Sequence, residues 1–85
     1  MSLTINQIKA VERFNMVQLA LDVFRLFFEL GYKTKRDVYL QLCIHYPEYS
    51  SKEYHNKFSV LWNFQKLDVE LISALHSTID KINAQ

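Results

Sequence analysis

The sequence predicts an all-α fold, a compact bundle of three to four helices, and three observations carry that prediction. Glycine and proline occur once each, at Gly31 and Pro47, too few for the tight turns that a sheet protein needs. Apolar residues recur at helical spacings of 3 and 4 through most of the chain. Ser and Thr residues stand three positions ahead of Gln, Asp or Glu at the points where helices should begin. The length of 85 residues is enough for one helical domain, residues 1–85.

The first element is a helix over about residues 5–30. Thr4 and Gln7 have the spacing of a capping box, and Gly31 is a natural C-terminal stop because it adopts the left-handed conformation without steric cost. In its second half Asn15, Gln18, Asp22, Arg25 and Glu29 form one narrow polar stripe, and everything else is apolar. A helix so apolar is expected to be central and packed on several sides. In the first half the apolar set Ile5, Ile8, Val11 and Phe14 extends round toward the side that is polar later, with Lys9 and Arg13 facing roughly the other way. The polar face therefore switches near Phe14 and Asn15. Either the helix breaks there with Asn15 as a cap, or it runs on and its two halves meet different neighbours; the switch fits a kink within a monomer and equally an N-terminal arm that packs on another subunit.

Thr34 and Asp37 resemble a second capping box, opening a short helix over about 35–46 that must stop before Pro47. Its core side would carry Val38, Tyr39, Leu42 and Tyr46. Pro47 to Ser50 form a turn, and Ser50 with Glu53 makes a third capping box for a helix beginning at about 52. From there Tyr54, Phe58, Leu61, Gln65, Asp68, Ile72, Leu75, Ile79 and Ile82 alternate at spacings of 4 and 3. One continuous helix to about 83 fits this seam. A break near Lys66 and Leu67 with Asp68 capping a fourth helix fits it too, and the cost of an unpartnered carboxylate in an apolar seam favours the break.

Composition narrows function. The chain is 49% hydrophobic and 14% aromatic, with six Phe, five Tyr and one Trp, more bulk than so short a chain readily encloses. Its net charge of +1 lacks the basic excess common among duplex binders. Cys43 is the only cysteine, so no internal disulfide forms. The most apolar stretch, Val17 to Leu30, is interrupted by Asp22, Arg25 and Glu29, so no membrane span is expected. No secretory signal pattern opens the chain, and a cytoplasmic location is the expectation.

Catalytic chemistry finds no support in the residues. Cys43, His45, His55 and His76 lack the paired spacing of a zinc site, and Cys43 lies between Leu42 and Ile44 rather than in the electropositive setting of a reactive thiol. There is no Gly-rich strand-turn-helix to present a nucleophile or cradle a phosphate. The expectation is a protein that is not an enzyme, with no metal, no cofactor and no small-molecule substrate inferred.

Two binding readings remain. The leading one is a small regulatory module that acts through protein–protein contacts as a homodimer, with Ile5, Ile8, Val11, Phe14, Trp62, Ile79 and Ile82 as the candidate interface. Trp62 either packs under the first helix or marks that surface. The alternative is a nucleic-acid-binding regulator with a helix-turn-helix at 35–63. The exposed stripe Lys52, Asn56, Ser59 and Asn63, with His55 beside it, would face bases or phosphates, supported by Lys35, Arg36 and Lys57.

Overall fold

The computed structural model describes residues 4–84 apart from the Lys9 side chain, so the expected orientation of Lys9 lies outside the described residues. Four α-helices follow one another: α1 (Ile5–Glu29), α2 (Lys35–His45), α3 (Lys52–Trp62) and α4 (Val69–Asn83). A 3-10 turn, Pro47–Ser50, links α2 to α3, and no strand occurs among the described residues. The all-α bundle is as the sequence predicts.

Thr4 caps α1 in both directions. Its Oγ1 accepts from the Gln7 amide at 3.2 Å, and its own amide donates to Gln7 Oε1 at 2.8 Å. The helix does not break at Asn15. It continues to Glu29 and ends in a Schellman motif: Gly31, at φ 99, and Tyr32 donate back to the carbonyls of Phe28 and Phe27. Ala20, Val23, Phe24 and Phe27 face the core, with Met16 and Leu26 packed beside them. Leu19, Leu21, Phe28 and Leu30 are exposed. The expectation that this segment is packed on several sides is therefore corrected: α4 is its main helical neighbour, and the rest of the short chain leaves the opposite flank bare.

In α2, Val38 and Leu42 are buried, while Tyr39 and Tyr46 are half-buried against the core. Thr34 Oγ1 accepts from the Asp37 amide at 3.1 Å. The cap of α3 is Ser51, whose Oγ accepts from the Tyr54 amide at 3.4 Å, and not the expected Ser50. Ser50 belongs to the 3-10 turn and donates to the Pro47 carbonyl at 2.7 Å. That turn tightens the connection and brings Tyr49 inward.

The long apolar seam divides into two helices. Asn63 caps the end of α3, and Phe64 takes the left-handed conformation, φ 58, that glycine usually supplies. Its amide donates to the Leu61 carbonyl at 2.9 Å and the Gln65 amide to Val60 at 3.0 Å, a second Schellman motif. A bulky residue there costs roughly 1–2 kcal/mol. The Phe64 ring packing edge-on against Phe24, centroids 5.9 Å apart, offsets that cost. Asp68 then caps α4, its carboxylate accepting from the Leu71 amide at 3.3 Å. On α4, Leu71, Ile72, Leu75 and Ile79 are core, and the buried Thr78 hydroxyl donates to the Ala74 carbonyl at 2.8 Å.

Tyrosines fasten the 3-10 turn. Tyr39 on α2 donates its hydroxyl to the Tyr49 carbonyl, and the hydroxyls of Tyr49 and Tyr54 both donate to Glu70 Oε1, at 3.2 and 3.4 Å. One carboxylate at the start of α4 thus holds both the turn and α3. Desolvation, chiefly, pushes the Tyr39 phenol from the usual 10.0 up to about 12, with the neighbouring Cys43 thiol adding to it. Desolvation first, and the Glu70 carboxylate second, push Tyr49 up to about 12 as well.

Removing the α4 cap by Asp68→Ala is expected to destabilise the fold by about 1 kcal/mol. For a chain this size that lowers Tm by roughly 4–8 °C. Asp68→Asn should restore most of the loss, and thermal unfolding followed by circular dichroism measures both. A Tm unmoved by the alanine would mean that the cap contributes nothing.

The tyrosines give a pH prediction. Tyr39 and Tyr49 hold their protons more tightly folded than unfolded, so their stabilisation is complete below pH 10.0 and is lost as pH rises through about 12. Ultraviolet titration of the folded protein should show late-ionising phenols, Tyr39 and Tyr49 among them, and Tyr39→Phe should remove one. Denaturant unfolding should weaken over the same interval, and a stability that stays flat there would contradict the assignment.

Candidate functional site

Two concave surfaces and one bare helix face emerge from this packing. The bare face is the first three turns of α1. Every described side chain from Thr4 to Asn15 is exposed, among them Ile5 at 72%, Val11 at 49% and Phe14 at 62%. A helix of 25 residues is about 37 Å long. The principal extents of 47 × 27 × 19 Å reflect that length. The radius of gyration of 14.2 Å exceeds the ~12 Å of a compact chain this long.

The first concavity adjoins the same helix. It is a groove of about 560 Å³ between the second half of α1 and the end of α3. Leu21, Phe24 and Phe28 meet Trp62 and Phe64 there, and Gln18, Asp22 and Arg25 form its polar edge. Trp62 is half-buried, edge-on to Phe24 at 5.0 Å and to Phe28 at 6.2 Å. The tryptophan packs beside the first helix, the first of the two readings the sequence allows, and it borders the groove. Exposed Arg25 reaches Asp22 at 3.8 Å and Glu29 at 4.0 Å.

Of the residues read as a protein interface, Ile5, Ile8, Val11 and Phe14 are exposed on α1, and Trp62 lies in the groove. Ile79 is not at the surface: it is 3% exposed, inside the core, and Ile82 is half-buried against it. The α4 seam is spent on the molecule's own core because α1 and α2 both pack on that helix. The groove also takes in Leu21, Phe28 and Phe64, which are not among the candidate interface residues: Leu21 and Phe28 lie in the segment expected to be packed on several sides, and Phe64 reaches the groove through a backbone conformation that its side chain does not advertise.

The second concavity is a cleft of about 370 Å³ lined by Lys35, Arg36, Tyr39, His55 and Phe58. Lys35, Arg36 and His55 were read as nucleic-acid contacts, and the fold brings these three together. Tyr39 lies edge-on to His55 at 5.2 Å and tilted over Phe58 at 5.0 Å. Lys35 and Arg36 make no ion pair among the described residues. Lys57 is differently placed: its ammonium is 3.4 Å from Glu53 and lies over the Tyr54 ring at 5.1 Å. Lys52, Asn56 and Asn63 are exposed along α3, and Ser59 is half-buried.

The half-buried Cys43 thiol is raised by desolvation, against which the Tyr39 hydroxyl acts in the opposite direction. No cluster of three or more His, Cys, Asp or Glu side chains with metal-holding geometry occurs among the described residues. No described helix is long and apolar enough to cross a membrane. No protein-family model, curated protein or solved structure matches this chain.

Proposed function

We propose that this protein is a small regulatory binding module that works through protein–protein contact, and that its partner is a second copy of itself. The carrying observation is that an apolar arm with no cover among the described residues and an aromatic groove lie on one continuous helix. Val11, Phe14, Gln18, Leu21, Arg25 and Phe28 run along the outer flank of α1 at spacings of 3, 4, 3, 4 and 3. That pattern reads the same from either end. Two antiparallel copies of α1 would set Val11 against Phe28, Phe14 against Arg25 and Gln18 against Leu21, so each arm would lie along the other copy's groove. Such pairing is isologous and closes on itself, as a two-fold dimer must. The seam has the heptad spacing that helices use to interlock. The Phe14 ring beside the Arg25 guanidinium adds a cation–π contact.

The alternative, a helix-turn-helix regulator that inserts α3 into a duplex groove, has weaker support. Glu53 stands in the first turn of α3 and engages Lys57, so the helix that would read the groove has one of its cations already neutralised by a carboxylate.

Light scattering after size exclusion, and sedimentation, should give the mass of a dimer at micromolar to millimolar concentration. Phe14→Glu with Leu21→Glu should weaken association on the order of 30-fold or more, as expected where central apolar anchors are lost. Both side chains are exposed in the single chain, so the helicity of the monomer should not change. A protein that stays monomeric at millimolar concentration sinks this reading.

A further inference from the structure

The cleft between α2 and α3 has a chemistry unlike the α1 flank. Two cations line it, Lys35 and Arg36 in the first turn of α2, with His55 of α3 beside them, and no carboxylate does. Its floor is aromatic, the buried Phe58 with Tyr39 above it. The Tyr39 hydroxyl is already engaged by the Tyr49 carbonyl, so what Tyr39 offers the cleft is its ring. Lys35 is half-buried and makes no ion pair among the described residues. The volume of about 370 Å³ is that of roughly a dozen waters at their share of the liquid, more than a bare phosphate fills.

We propose that this cleft binds a nucleotide unit, with its phosphate between Lys35 and Arg36 and its base along His55 and Tyr39. A guanidinium and an ammonium together suit a phosphate, the first as a planar fork and the second as a point charge. The exposed imidazole offers the kind of ring face that single-stranded bases stack on, and the phenol ring stands edge-on beside it. One further feature favours a nucleotide over other phosphorylated aromatics. His55 adjoins the α3 stripe of Lys52, Asn56, Ser59 and Asn63, whose amides carry the paired donor and acceptor that match a base edge. A concave cleft takes an unstacked base and not the wall of a duplex. The unit comes either from a free mononucleotide or from a single strand, and both present the same phosphate and base. This inference does not depend on self-association through α1.

Amide-resolved NMR titration of the full chain tests it with four probes: adenosine monophosphate, inorganic phosphate, a single-stranded oligonucleotide and a phosphotyrosine peptide. Expected are shifts at Lys35, Arg36, Tyr39 and His55 with the mononucleotide, with the single strand, or with both. Tighter binding of the strand names a nucleic acid as the source, and tighter binding of the mononucleotide names a free nucleotide. Lys35→Gln with Arg36→Gln should weaken binding at least tenfold. Lys66→Gln, an exposed cation that does not line the cleft, should leave it within twofold. If both cations meet phosphates of a strand, affinity should fall about sevenfold for a fourfold rise in salt. Unmoved amides with both nucleotide probes overturn the proposal. So does inorganic phosphate binding as well as the mononucleotide, because the rings would then contribute nothing, and so does a preference for the phosphotyrosine peptide.

Discussion

The structure depends on a mismatch of length. The 25 residues of α1 are set against 15 in α4 and 11 each in α2 and α3. At 1.5 Å per residue the longest helix outruns its longest neighbour by about 15 Å. Whatever the other elements do, they cannot cover three turns of α1. They use what they have on the flank of Ala20, Val23, Phe24 and Phe27, where α4 lays down Leu71, Leu75 and Ile79. A core built on one flank of a helix leaves the other flank facing water. That flank is where Phe14, Leu21 and Phe28 remain.

Much of this was legible in the residues, and the parts that were not share a physical cause. The Thr4 cap, the Gly31 stop and the Asp68 cap are local devices: each is a side chain or a missing side chain acting on backbone within three or four positions, so the spacing alone reveals it. The flank of α1 that is covered is not local. It depends on how many partners arrive, and apolar content by itself does not distinguish a helix buried all round from one buried on one side. Ile79 was misplaced for the converse reason, since its seam looked free until two other helices were seen to close on it. The turn residue Phe64 carries no sequence signal at all. Its left-handed backbone is held by a ring on a different helix.

The aromatic residues also explain how a chain with a small core stays ordered around its turns. Neither Phe64 nor the 3-10 turn has the glycine that would make its geometry inexpensive. Each is instead tied to a distant element by a ring or a phenol: Phe64 to Phe24, Tyr39 to the Tyr49 carbonyl, and Tyr49 and Tyr54 to Glu70. Lys81 adds a further tie, its ammonium 4.2 Å over the Tyr46 ring. These contacts span 10 to 21 residues in sequence where hydrogen bonds carry them. The loops therefore report on the assembled bundle, and the same phenols couple its stability to high pH.

Charge follows a similar logic, and a near-neutral total conceals it. Ten basic and nine acidic residues suggest a surface with no preference. The pairing is uneven, however. Asp22 and Glu29 both lie within ion-pair distance of Arg25, and Glu53 holds Lys57, so these carboxylates are engaged along α1 and α3. The cations at the start of α2 are left without one, beside an imidazole and over two rings. An anion that enters there displaces no existing ion pair, whereas one that approaches Lys57 must compete with Glu53. A local excess of positive charge arises in a balanced chain because Asp22, Glu29 and Glu53 lie at helical spacings of 3 and 4 from cations on their own helices and no carboxylate lines this cleft.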